Sequence, residues 1–199
     1  MYNNPDSKEI DLAKQYAIKA IDKNQVVSSS LENTLINEKL VMQKTWHPFI
    51  MKFYRSFKDE KNIYFVVEYI PGSMLFDVIR ELDEIDTIEA QFYTSSIILT
   101  LECLFKHQIV YRDLKPENIM VDQKGYVKLI DMGTGKILKN DTERTFTVIG
   151  TPHYMAPEIL TNQGYNCLCD LWSLGVVLFE MLCGYFPLGD DEDDPYMVY

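Results

Sequence analysis

No glycine precedes Gly72 in this 199-residue chain. Loops that wrap a phosphate in backbone N–H groups depend on glycine, so no Gly-rich phosphate loop is expected in that stretch. Cysteine is scarce as well. Cys103, Cys167, Cys169 and Cys183 are too few and too scattered for a disulfide framework, and Cys-x-Cys lacks the usual zinc spacing. All four are expected as reduced core thiols. Positive charge is short: 19 Lys and Arg stand against 30 Asp and Glu, for a net charge of −11. Nucleic-acid binding relies on Lys and Arg at the phosphates, which this balance argues against, and basic peptides are the better electrostatic partners. No apolar run reaches the ~20 residues of a membrane span and no signal-peptide pattern opens the chain. No membrane span and a cytoplasmic location are therefore expected.

What the chain does have is a core and one dense cluster of chemistry. Hydrophobic residues make up 47% and charged residues 25%, enough apolar surface to fill one large domain or two small lobes. YRDLKPEN occupies 111–118 and DMG occupies 131–133. Asp113 can accept the proton of an attacking hydroxyl, and Lys115 can offset negative charge on a phosphate. Asn118 and Asp131 offer the amide and carboxylate oxygens that Mg²⁺ prefers. Pro116 stops any helix and keeps the segment a loop. The set suits phosphoryl transfer, in which catalysis rests on placing metal, nucleophile and positive charge in line.

YRDLKPEN followed by DMG resembles the catalytic loop and metal-binding triplet of eukaryotic protein kinases. Tyr111, where many kinases have His, resembles the cyclic-nucleotide-dependent branch of the AGC group, and GTPHYMAPE at 150–158 is most like the cGMP-dependent kinases. The resemblance implies an α+β, bilobal protein-kinase fold. Residues 1–70 would form a small antiparallel-sheet lobe with one helix, and 71–199 a mainly helical large lobe. It also implies a Ser/Thr kinase that uses ATP and Mg²⁺ and acts on proteins with basic residues near the target.

Gln15 to Ile21 alternates with period two, which sets Ala17 and Lys19 on one face. YAIK resembles the third strand of the kinase small lobe, implying that Ala17 touches adenine and Lys19 holds the α and β phosphates. Between Ser30 and Lys44 a helical pattern places Leu31, Leu35, Glu38 and Met42 on one stripe. A carboxylate centred on an apolar stripe needs a cation, and by the resemblance that cation is Lys19. Strands at 49–57 and 63–69 are joined by the charged turn 58–62. Val67-Glu68-Tyr69-Ile70 resembles the hinge, with Val67 limiting pocket depth and the backbone groups of Glu68 and Ile70 bonding adenine. Glu117 and Met120 complete the implied nucleotide-binding set. Met74 stands where this branch usually has a glutamate that meets the ribose and a substrate arginine, which implies weaker nucleotide affinity or a weaker basic-substrate preference.

Asp86 and Glu89 open a long apolar-periodic helix over 88–108, with His107 expected as a dipole partner at its end. Strands at 119–121 and 127–130 form a hairpin across Asp122 to Gly125 that holds Asn118 close to Asp131. Met132 replaces the usual phenylalanine and can fill much the same space. GTGK at 133–136 lacks Walker spacing. Residues 140–157 resemble the activation segment. Thr147 matches its phosphosite, whose phosphate Arg112 and Lys136 would bind, and Thr151 matches a contact of the catalytic Asp and Lys. Leu168 to Cys183 reads as an apolar helix ended by Gly184, with buried Asp170 holding the backbone of the 111–113 loop. Glu117 and Glu180 match positions that contact substrate arginines. Asn3 to Asp6 reads as a turn and Asp190 to Asp194 as a solvated loop.

The family's domain is longer than 199 residues. A partial domain is therefore expected, lacking its Gly-rich loop and last helices, with a cyclic-nucleotide regulatory region in a parent protein. Alone, the chain is expected to show little or no activity. A second reading is a catalytically silent protein that binds nucleotide or a partner through a retained lobe surface.

Overall fold

The alternation around Lys19 becomes strand β1 (Tyr16–Asp22), which pairs antiparallel with β3 (Asn62–Glu68). Strand β2 (Phe53–Lys58) pairs on the other side of β3, giving the order β1-β3-β2. The computed structural model describes residues 14–29, 31–140, 142–161 and 163–188. The turn expected at Asn3 to Asp6 and the acidic run Asp190 to Asp194 lie outside them. The charged turn between β2 and β3 is tied by Asp59, whose Oδ1 accepts the N–H groups of Lys61 and Asn62 at 2.8 and 2.7 Å. Phe65, Val66 and Val67 of the central strand are all buried.

Helix α1 (Lys23–Ser28) leads into α2 (Glu32–Lys44). The side of α2 facing the sheet carries Glu38, Val41 and Met42, with Leu35 partly buried beside them. Leu31, expected on this stripe, is 45% exposed. It precedes the first helical residue and gives its N–H to Val26 O at 2.9 Å, so it does not share the helix's angular spacing. The expected strand at 49–57 starts only at Phe53, because the backbone before it is committed elsewhere. Met51 donates to Leu129 O and Leu129 to Phe49 O, both at 2.9 Å.

The remainder is mainly helical. In chain order come β4 (Gly72–Met74), α3 (Leu75–Leu82), α4 (Thr87–Lys106), β5 (Ile109–Val110), β6 (Ile119–Asp122), β7 (Val127–Leu129), β8 (Lys136–Ile137), α5 (Pro157–Leu160) and α6 (Cys169–Cys183). The sheets are β4-β6-β7 and β5-β8. Asp86 caps α4 by accepting the Ile88 N–H at 2.8 Å, and His107 ends it with Nδ1 2.8 Å from Cys103 O. α6 packs on α4 and stops at Gly184, whose φ of 76° suits glycine and whose absent Cβ leaves room for Asp83 O. Leu104, Ile109, Tyr111, Leu114, Ile119 and Met181 fill the core between them, at roughly 1.5–3 kcal/mol of transfer energy for each large apolar side chain. None of the four cysteines is in a disulfide, but only Cys169 is fully buried; the expectation of core thiols holds for it alone. Among the described residues no helix is long and apolar enough to cross a membrane.

Candidate active site

Pro116 starts one 3₁₀ turn, Pro116–Asn118, that folds Asn118 back onto Asp113. Asn118 Nδ2 donates to Asp113 O at 2.8 Å and to Oδ2 at 2.9 Å. Thr151 Oγ1 donates to Asp113 Oδ1 at 2.8 Å and accepts from Lys115 Nζ at 2.7 Å, with that ammonium 3.3 Å from Asp113 Oδ2. Both carboxylate oxygens are therefore fixed in direction. Thr151 gets this close because Gly150, at φ 122°, slides its backbone under Arg112, where a Cβ would lie 2.5 Å from the Arg112 carbonyl.

The loop is also held from below. Buried Asp170 accepts the N–H groups of Tyr111 and Arg112, each at 2.8 Å, and Arg112 adopts a left-handed φ of 74°. Burial pushes the Asp170 carboxyl up to about 6, with the two N–H donors pulling the other way.

Lys19 Nζ lies 2.6 Å from Glu38 Oε1 and 3.7 Å from Asp131 Oδ1. Burial alone would lower the ammonium's pKa; the two carboxylates outweigh it and hold it above the ordinary lysine value. Asp131 Oδ1 also accepts the Gly133 N–H at 2.9 Å, and Met132 between them is buried. Asn37, beside Glu38, donates Nδ2 to Gly135 O and fastens α2 to the chain following the DMG triplet. Sequence reasoning missed Asn37; its only signal is its place next to Glu38.

On the opposite wall Ala17 and Val67 are cross-strand partners, with Val67 buried. The Glu68 side chain turns away to Lys128, at 2.9 Å, and to the Lys52 N–H. Its own N–H donates to Lys52 O at 2.8 Å, so of its two backbone groups only the carbonyl could meet adenine. Ile70 is half-buried. Met74 and Met120 are register partners in β4 and β6, and Met74 is 41% exposed. The donor set fits a magnesium nucleotide. With Nδ2 committed to Asp113, Asn118 keeps Oδ1 as its acceptor, and Asp131 adds a carboxylate. Among the described residues no cluster of three or more His, Cys, Asp or Glu could hold a metal. Mg²⁺ does not need one, since it binds through one or two protein oxygens together with phosphates and water.

The substrate-side residues are more dispersed. Glu180 is buried and accepts the Tyr154 hydroxyl at 2.6 Å. It also lines a cavity of about 500 Å³ with Phe76, Ile79, Arg80, Asp83 and Phe186. Glu117 Oε2 is enclosed without a hydrogen-bond partner. Burial, then the charges of Glu180 and Glu117, push the Tyr154 pKa far up, so Tyr154 stays a neutral donor close to both carboxylates. Thr147 is exposed. Lys136, expected to meet its phosphate, instead donates to Thr145 Oγ1 at 3.0 Å, while Arg112 Nε donates to Thr134 O at 2.6 Å. Neither Tyr154 nor Thr145 carried a signal in the sequence.

A strand lysine paired to a helix glutamate, facing a loop with Asp, Lys and Asn and a following Asp-Met-Gly, makes a site of the phosphoryl-transfer class. The family described as protein kinase domain matches residues 6–198, and the chain belongs to that family. It is 44% identical over 185 residues to a cGMP-dependent protein kinase of Plasmodium berghei, covering 93% of this chain and 21% of that protein. With the cGMP-dependent protein kinase of Eimeria tenella it shares 41% over 192 residues, 96% of this chain and 19% of the relative. With the cAMP-dependent protein kinase catalytic subunit of Dictyostelium discoideum it shares 42% over 184 residues, 92% and 28% respectively. The chain thus spans about a fifth of the length of the cGMP-dependent relatives.

Proposed function

We propose that these residues are the catalytic part of a cGMP-dependent Ser/Thr protein kinase that phosphorylates proteins with basic residues near the target hydroxyl. One observation carries the reading: the ring of Asp113, Thr151 and Lys115, with Asn118 bonded to Asp113 beside it, occurs together with Lys19 joined to Glu38 and Asp131. Bound Mg-ATP supplies the phosphoryl group and the metal charge that offsets it. Asp113 takes the proton from the substrate hydroxyl, its oxygens aimed by Asn118 and Thr151. Lys115 offsets charge on the moving group, and Lys19 holds the nucleotide phosphates in a position fixed by Glu38. Asn118 Oδ1 and Asp131 hold the metal. Ala17, Val67, the Glu68 carbonyl, Ile70 and Met120 surround the base. Glu180 and the enclosed oxygen of Glu117 receive a substrate arginine. The cyclic-nucleotide dependence follows the names of the relatives, and a regulatory region elsewhere in the protein would supply it.

The test is transfer to a basic peptide by the full-length protein. Asp113→Asn is expected to cost about a hundredfold or more in kcat with nucleotide binding retained; turnover within tenfold of the parent would remove the base from the scheme. The second reading, a silent nucleotide binder, draws on Met74, which cannot accept a hydrogen bond from ribose or arginine. A thermal shift with Mg-ATP and no transfer supports it, and transfer that Lys19→Ala abolishes rejects it.

A further inference from the structure

The segment bearing Thr147 is fastened by the protein's own groups. Thr145 and Tyr165 exchange both backbone N–H···O bonds at 2.9 Å, and each is 1% exposed. Lys136 Nζ reaches Thr145 Oγ1, and the Tyr165 hydroxyl donates to the Thr147 carbonyl at 2.5 Å. Past Thr147 the chain runs to Gly150 and Thr151, whose hydroxyl donates to Asp113 Oδ1 at 2.8 Å. Arg112 is bound through its N–H to Asp170, through Nε to Thr134 O, and by a peptide bond to Asp113.

We propose that Tyr165 is a positioning residue: its hydroxyl donates to the Thr147 carbonyl and so holds in place the 145–149 segment, which leads directly into Thr151 and its bond to Asp113. The hydroxyl suits this role. Burial raises its pKa and the nearby Arg112 charge opposes the rise only in part, so it stays protonated and keeps its O–H donor at every working pH. The ring alone cannot do this, because its burial secures Tyr165 but leaves Thr147, two residues past the backbone bridge, without a tie. A phosphate on Thr147 would add about −1.5 to −2 charge for Arg112 to bind and so tie this segment to the loop that carries Asp113 by a second route. The hydroxyl link therefore matters most before phosphorylation. The inference rests on the reading of Asp113 as base and Thr147 as phosphosite.

The experiment removes one oxygen atom. Tyr165→Phe is placed in the full-length protein, once with Thr147 phosphorylated and once with Thr147→Val. In the Val background kcat is expected to fall about fivefold to tenfold, as loss of a hydrogen bond to a backbone carbonyl implies, with KM for the peptide little changed. In the phosphorylated protein the loss is expected to stay below about threefold. Amide exchange across 146–149 should quicken by about tenfold in the unphosphorylated Phe variant, while the Thr145 and Tyr165 amides keep their protection. Equal losses in both backgrounds would reduce Tyr165 to core packing and overturn the proposal, as would unchanged exchange. A wild-type measurement covers a variant that fails to fold: exchange at 146–149 as fast as in an unstructured chain, before phosphorylation, also overturns it. Absence of any Lys19-dependent transfer would sink the kinase reading and leave the exchange result standing on its own.

Discussion

The hydroxyl of Thr151 donates to Asp113 Oδ1 at 2.8 Å across 38 residues of chain. The same oxygen accepts from Lys115 at 2.7 Å, so one side chain sets the separation of the proposed base and its cationic neighbour. Thr151→Val keeps the shape and removes the oxygen. Loss of hydrogen bonds to two charged groups is expected to lower kcat about tenfold or more, with little change in melting temperature. Thr151→Ser should restore most of the rate in peptide phosphorylation assays. A Val variant at the parent rate would show that the Asn118 bonds alone position Asp113.

Glu38 separates function from stability. Its side chain is 8% exposed beside Val41 and Met42, whereas that of Lys19 is 46% exposed and has Asp131 at 3.7 Å. Removing one partner of a buried ion pair costs several kcal/mol where it strands a buried charge, but Lys19 is half exposed and keeps Asp131 as an anion, so Glu38 can be replaced by an apolar group without stranding it. Glu38→Leu is therefore expected to leave the melting temperature unchanged or raised. Transfer should nonetheless fall more than tenfold, because Lys19 loses its fixed position. Thermal unfolding and steady-state kinetics on the same preparation check both halves. A fall in both would mean that the ion pair holds the fold rather than the nucleotide.

Much of this was legible because it is local. Asp113, Lys115 and Asn118 lie in one tight turn, β1 announces itself by alternation, and Asp86 stands at the start of α4. The register of β1 on β3, which sets Ala17 opposite Val67, was not legible, because β1 is only partly buried and Phe65, Val66 and Val67 are buried consecutively, so neither strand offers an alternating face to fix the pairing. Other features were closed to the sequence because they depend on which polar groups meet across long separations. Nothing in the chain tells Tyr154 to find Glu180, 26 residues away, or Asn37 to find Gly135, 98 away. Leu31 misled because its apolar character fits the stripe although the helix begins one residue later. Residues 49–51 misled because a strand-like pattern does not say which strand will take its hydrogen bonds.

Asp170 makes stability and activity move in opposite directions with pH. Its folded pKa is raised to about 6 from an ordinary 3.8. Between these values the folded chain binds a proton that the unfolded chain does not. The contribution of this group to stability is therefore fully present below 3.8, and it is lost as pH rises through about 6. The shift corresponds to on the order of 3 kcal/mol. Catalysis has the opposite need, since only the carboxylate can accept fully from both Tyr111 and Arg112, and a protonated oxygen gives up part of its hold on the loop carrying Asp113. Below pH 6 the transfer rate is expected to drop while the α6 amides remain protected from exchange. In Asp170→Asn, which binds no proton in this range, protection relative to wild type should improve as pH rises from 4.5 to 7.5, and the rate should be low throughout. A wild-type rate that falls only where amide protection also falls would assign the acid limb to unfolding instead of to Asp170.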